Sequence, residues 1–216
     1  MLELEHGFRV VDAHAHLDHD ERAVTTYGRD TGPDELEREC HQAGIVRAAV
    51  SPSPRPPEEG YLRANNAIAR LSVDRPFLAF ARLNGALDPT GGPVAAVRNW
   101  RPNRENYHTR PGDVEQYAYD DRFHGFVLDP AVDGLPDEAV VDELAAVDLP
   151  VVVYCREGFP PRAAEGELIG EGFPVILAGF GGYPHDHDRM TQSLDLLEAY
   201  DRLYLDTWAV RSRELL

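Results

Sequence analysis

The sequence predicts an α/β fold, either a (β/α) barrel or an open, doubly wound parallel sheet. Three observations predict it. Short apolar runs rich in β-branched residues recur along the chain, among them IVRAAV, VVVY and VILA, and such runs suit parallel strands covered on both faces. Nearly every run is followed by a helix-like stretch. No Gly-rich loop follows the first run, which argues against a dinucleotide fold and a nucleotide cofactor.

The elements follow in order. Phe8 to His16 reads as a strand. Pro33 to Ala43 reads as a helix, with Thr31 or Gly32 near its N-cap and Gly44 after its end. Ile45 to Ser51 is a strand, Glu59 to Leu71 a helix, Phe77 to Leu83 a strand. His124 to Leu128 is a strand, and Pro136 to Val147 a helix opened by a proline and two acids. Val151 to Tyr154 is a strand and Ala163 to Ile169 a weak helix. Val175 to Ala178 is a strand, Arg189 to Tyr200 a helix, Leu203 to Asp206 a strand, with a final helical stretch to Leu216. Seven strands are recognisable. Asn84 to Asp121 breaks the rhythm: it is polar and aromatic, and reads as a short helix near Val94 to Asn99 followed by an excursion over one barrel end. Trp100, Tyr107, Tyr117 and Tyr119 in it either line a pocket or fill a small satellite core.

Composition bounds the function. The 216 residues make one sizeable core, read as a single domain over 1–216 with an insertion at about 84–121. Two cysteines, Cys40 and Cys155, make no disulfide framework or zinc ribbon. No apolar string is long enough to span a bilayer and no secretory pattern opens the chain, so the expected compartment is the cytoplasm. There are 38 acidic residues against 21 basic ones, a net charge of −17, and every basic residue is arginine. Such a field repels nucleic acid and anionic membrane, which leaves a small-molecule substrate as the expected partner. The acids are scattered, as on an acidic surface adapted to a salty cytoplasm; loss of structure in low-salt buffer would support that reading.

The chemistry concentrates on the first strand, Val10-Val11-Asp12-Ala13-His14-Ala15-His16. Side chains alternate across a strand, so Asp12, His14 and His16 share one face. Burying two imidazoles and a carboxylate is costly unless they are hydrogen-bonded or bind a metal. Two histidines at i and i+2 can hold one Zn²⁺ or similar ion, with Asp12 fixing a ring from behind.

This Asp12-x-His14-x-His16 resembles the opening signature of the amidohydrolase superfamily, most closely its amidohydrolase-related branch of metal-dependent hydrolases and decarboxylases. Further segments are similar in order: GFVLDP (125–130), PVVVYCREG (150–158), FPVILAGFGG (173–182) and LYLDT (203–207). The resemblance implies a TIM-barrel fold with its site at the C-terminal ends of the strands. It also marks departures. Tyr154 and Gly179 stand where the family has ligand histidines, and Val127 and Asp129 stand where it has a strand-four Lys and His. Without lysine there is no carboxylated-lysine bridge, so a standard two-metal centre is excluded. The eighth strand is missing or supplied otherwise, and an open barrel edge is compatible with a homodimer.

Two functions follow. In the first, the chain is a metal-dependent hydrolase acting on C–N or ester bonds of a small carboxylate-bearing substrate. One divalent ion, zinc first and manganese second, is held by His14, His16 and one of the loop histidines His185 and His187. Asp206 or Asp129 takes the proton, Arg156 clamps a substrate carboxylate, and Tyr154 lies in the substrate site. A non-oxidative decarboxylase is a variant of this reading. In the second, the barrel is catalytically inactive and binds a small molecule or a partner. Cys155, beside Tyr154, reads as a packing residue rather than a nucleophile.

Overall fold

The computed structural model describes residues 9–18, 32–182 and 186–207. Seven strands form one sheet whose spatial order is the chain order: β1 (Val10–His16), β2 (Ile45–Ser51), β3 (Phe77–Arg82), β4 (Phe123–Leu128), β5 (Val151–Val153), β6 (Val175–Leu177) and β7 (Leu203–Leu205). All six neighbouring pairs are parallel. The crossovers carry helices α1 (Pro33–Gln42), α2 (Leu62–Leu71), α3 (Gly92–Trp100), α4 (Pro111–Tyr119), α5 (Glu138–Val147), α6 (Pro161–Glu167) and α7 (His187–Ala199). Side chains from β1 and from just past β7, His14 and Asp206, lie 2.8 Å apart, so the sheet curls round on itself. Among the described residues β1 and β7 share no ladder. The fold is therefore a TIM-barrel-like half-barrel, open between its first and last strands. The final stretch expected up to Leu216 lies outside the described residues.

Alternation along the strands divides the apolar side chains into two layers. Val50, Ala79, Phe126, Val153 and Leu177 point outward and pack with Ile68, Val114, Leu144, Ala164 and Leu196 from the helices. Ala49, Phe80, Val127, Val152, Tyr154 and Ala178 fill the interior. Each large side chain buried this way contributes about 1.5–3 kcal/mol. The interior is tight enough to dictate a glycine. A Cβ on Gly125 would stand 2.3 Å from Phe80 Cε1 and 2.6 Å from the Pro150 carbonyl oxygen, so the Phe80 ring fits only against a bare backbone.

Local chemistry sets the helix ends. Pro33 opens α1 with Asp34 and Glu35 in its first turn, where the helix dipole favours acids. Asp137 caps α5, its carboxylate accepting the Val140 N–H at 3.2 Å, and Asp148, in the left-handed region at φ 54°, ends it.

The segment 84–121 differs from expectation. The helix near Val94 is present as α3, but the excursion contains a second helix, α4, between β3 and β4. It opens on Pro111, and the Asp113 carboxylate accepts the Arg110 N–H at 2.8 Å. Val114 and Tyr117 bury one face of α4, Tyr117 meeting the Phe123 ring edge-on at 4.9 Å. The polar residues around it mask this helix in the sequence. Trp100 and Tyr119 are exposed, Trp100 with the Arg101 guanidinium over its ring. Of the four aromatics, only Tyr117 belongs to the main core.

Candidate active site

Parallel alternation brings His14 and His16 of β1 to the interior at the C-terminal mouth, both buried. Tyr154, directly after β5, rises from the interior layer beside Val152. Its hydroxyl meets His14 Nε2 at 2.6 Å and His16 Nε2 at 2.9 Å. Asp206, directly after β7, completes the group: its Oδ2 meets His14 Nδ1 at 2.8 Å. Asp206 Oδ1 accepts the Gly179 N–H at 2.6 Å. Gly179 sits at φ 57° in the left-handed region, which turns that N–H toward the carboxylate. Phe180, also at φ 57°, is the strained partner in this turn.

The donors and acceptors order themselves. An ionised Asp206 can only accept, so His14 carries its proton on Nδ1 and presents a lone pair at Nε2. Tyr154 then donates to His14, and its oxygen lies 2.9 Å from His16 Nε2. The result is a continuous chain, Asp206–His14–Tyr154–His16.

The other sequence-predicted residues have different neighbours. The Asp12 carboxylate accepts the main-chain N–H of His14 at 3.0 Å; the ring is held by Asp206 instead. Asp129 is fully buried after β4. Arg156 grips it with a fork, Nε to Oδ1 at 2.9 Å and Nη2 to Oδ2 at 2.7 Å, and also covers the Tyr154 ring with its guanidinium at 5.3 Å. His187 opens α7 and is exposed, next to the cap residue Asp186, whose carboxylate accepts the Arg189 N–H. His185 lies outside the described residues. Cys155 is buried, and burial pushes its thiol up to about 12, so it stays protonated and packs.

A second cluster escapes sequence reading. Arg82, at the end of β3, is buried between Asp133 and Asp129, with Nη2–Oδ2 distances of 2.7 and 3.6 Å. Burial opposes its charge, but Asp133, Tyr61, Tyr154 and Asp129 more than offset that, and the guanidinium is held firmly protonated. Burial raises the Asp133 carboxyl, against the pull of Arg82. Tyr61 donates to Asp133 at 2.6 Å. The available signal was the strand FLAFAR, where Arg82 is in phase with the interior Phe80.

A cleft of about 640 Å³ opens between β1 and β7. Val11, Asp12, His14, Ile176, Tyr204 and Asp206 are among its lining, so the His14–Asp206 pair is reached from this side. Among the described residues no group of three or more His, Cys, Asp or Glu side chains is gathered for a metal. The donors that do converge are two imidazole nitrogens and a phenol oxygen, with a carboxylate behind one ring. That set suits a single divalent ion, since a metal-bound histidine characteristically donates its other N–H to a carboxylate.

No family model matches the chain, and no curated protein matches it in sequence. Solved structures do match. One is a probable 2-pyrone-4,6-dicarboxylic acid hydrolase from Acinetobacter baumannii with citric acid bound, at 15% identity over 93% of this chain and 70% of that one, TM-score 0.53. Another is an uncharacterised TIM-barrel protein from Bordetella bronchiseptica, at 13% identity over 93% and 75%, TM-score 0.53. A third is a 5-carboxyvanillate decarboxylase from Sphingomonas paucimobilis, at 13% identity over 96% and 83%, TM-score 0.53. At these identities the likeness is one of fold, and the fold is that of the TIM barrel. No helix among the described residues is long and apolar enough to cross a membrane.

Proposed function

We propose that this chain is an amidohydrolase-type hydrolase of small carboxylate-bearing substrates, working at the His14–His16 mouth of the half-barrel. The observation that carries the reading is the convergence of His14 Nε2 and His16 Nε2 on one oxygen, with Asp206 fixed behind His14. The fold neighbours support it, being a probable dicarboxylic acid hydrolase and a carboxyvanillate decarboxylase. His14, His16 and Tyr154 would hold one divalent ion, zinc before manganese. Such an ion, when bound, supplies Lewis acidity and lowers the pKa of a bound water toward ~7.

The chain's own groups do the rest. Asp206 fixes the tautomer and orientation of His14, leaving its Nε2 lone pair toward the mouth. Tyr154 stands between the two rings, its hydroxyl 2.6 Å from His14 Nε2 and 2.9 Å from His16 Nε2, which sets the spacing of the three donors. Arg156 and Asp129 neutralise each other and pin the loop that follows Tyr154, as do the paired main-chain bonds between Arg156 and Phe159. Asp129 is thus a positioning group in this reading, and a substrate carboxylate must compete with it for Arg156. Non-oxidative decarboxylation is the variant to test beside hydrolysis.

The second reading is a non-catalytic barrel that binds a small molecule. It is favoured by the Arg156–Asp129 pair, in which a candidate catalytic carboxylate and the candidate substrate clamp hold one another. Metal content and turnover separate the two. The chain is purified in high salt, and bound metal is measured for wild type and for His14→Ala with His16→Ala. Lactones, esters and amides of small dicarboxylic acids are then assayed. The enzyme reading expects close to one equivalent of metal, lost in the double variant together with turnover. Substoichiometric metal that the mutations leave unaltered, with no turnover, would establish the binding protein.

A further inference from the structure

Beside His16 lies a group of buried oxygens that the reading above does not use. Ser51 ends β2 and is the register partner of His16, so the two share the interior face. Asp18 lies two residues beyond His16, and Ser53 two beyond Ser51. Their exposures are 2% for Asp18, 1% for Ser51 and 2% for Ser53. Asp18 Oδ1 takes long contacts, both 3.4 Å, from the Ser53 N–H and from Arg55 Nη2. Among the described residues, Asp18 Oδ2, Ser51 Oγ and Ser53 Oγ have no hydrogen-bond partner. Buried polar groups are ordinarily paired, and three unpaired oxygens at one rim of a barrel mouth ask for a ligand.

The inventory of donors and acceptors says what kind. Asp18 Oδ2 only accepts, while each serine hydroxyl has a proton to give. A ligand hydroxyl has one proton for Asp18 and two lone pairs for Ser51 and Ser53. A ligand carboxylate has no proton to give Asp18 Oδ2, and an apolar group would leave all three oxygens unpaired. We propose that Asp18, Ser51 and Ser53 form a subsite for a hydroxyl group of the substrate. The inference rests on the His14–His16 mouth being the substrate site, and it narrows the substrate class to hydroxylated small carboxylates.

A water molecule carries the same inventory, so the test must separate it from a ligand. Binding of succinate and of each malate enantiomer, which differ from succinate by one hydroxyl, is measured by calorimetry on the full chain in high salt. One malate enantiomer is expected to bind at least about tenfold tighter than succinate, as in sites built around a substrate hydroxyl. Ser51→Ala and Ser53→Ala are expected to bring that ratio within about twofold and to leave succinate binding unchanged. Neither variant is expected to lower the melting temperature of the unliganded protein, because each removes an unpaired buried hydroxyl; a merely structural hydroxyl would lower it. Equal binding of malate and succinate by wild type, no binding of either, or a ratio that survives in both serine variants would overturn the subsite and leave solvent there. Metal content and turnover are read separately. Discrimination without turnover keeps the subsite and removes the enzyme, whereas turnover without discrimination does the reverse.

Discussion

The two sides of the barrel mouth handle buried polarity differently. Around β3 and β4, Arg82, joined by Arg156 from the loop after β5, faces Asp129 and Asp133, and the four charges interlock through ion pairs of 2.7 to 3.6 Å. On the β1–β5–β7 side, Asp206, His14, Tyr154 and His16 form one hydrogen-bonded chain. The first arrangement is locked, because shifting any charge leaves another buried and unpaired. In the proposed function the chemistry belongs to the second side, and the first is its rigid support.

The largest break in this contrast is expected at Arg82. Arg82→Met leaves Asp133 and Asp129 buried without their shared cation, which costs about 3–5 kcal/mol, and urea unfolding should show the loss. Turnover should fall only with the folded fraction if this side is purely structural.

Asp206→Asn tests the second side. The amide no longer enforces the Nδ1–H tautomer of His14, so metal affinity and turnover are expected to drop about 10–100-fold with the fold retained. Unchanged metal affinity would assign Asp206 to packing alone. Tyr154→Phe keeps the ring but removes the hydroxyl that both imidazoles meet, and is expected to cost about 1–3 kcal/mol in thermal unfolding. A neutral result there would mean that solvent replaces the hydroxyl without loss.

Two smaller effects sharpen the picture away from the chain. Cys155, its thiol pushed up to about 12 by burial, should resist iodoacetamide at pH 8 in the native protein and react once unfolded. Asp88 accepts from Thr90 and Arg98, and these hydrogen bonds lower its carboxyl to about 2. Its folded value lies below the unfolded one, so its contribution is present above pH 3.8 and is lost as pH falls through about 2. A carboxyl resonance titrating near 2 would confirm the assignment; one titrating at the ordinary value would remove it.

Much of this was legible beforehand because it is local. β2 was expected at Ile45 to Ser51 and is found there, since a β-branched run closed by Gly44 and Pro52 leaves few alternatives. The shared face of His14 and His16 follows from strand alternation. Helix α4 was missed because only Val114 and Tyr117 bury its inner face, too few for a clear helical period amid polar neighbours. Arg82 was missed because an arginine ending an apolar strand looks solvated until its two aspartates, 47 and 51 residues further on, are seen folded against it.

By itself, the sequence determined the alternation of strands and helices, the parallel layering, and which residues of β1 face inward, because each depends on backbone periodicity and neighbours a few residues apart. Only the tertiary structure decided that Tyr154 stands between His14 and His16. It also decided that Asp206 holds His14, and that Asp129 is bound by Arg156 and Arg82. Those partners come from strands far apart in the chain. Which of them meet is set by how far the sheet curls, a property of the whole barrel that no short stretch of residues contains.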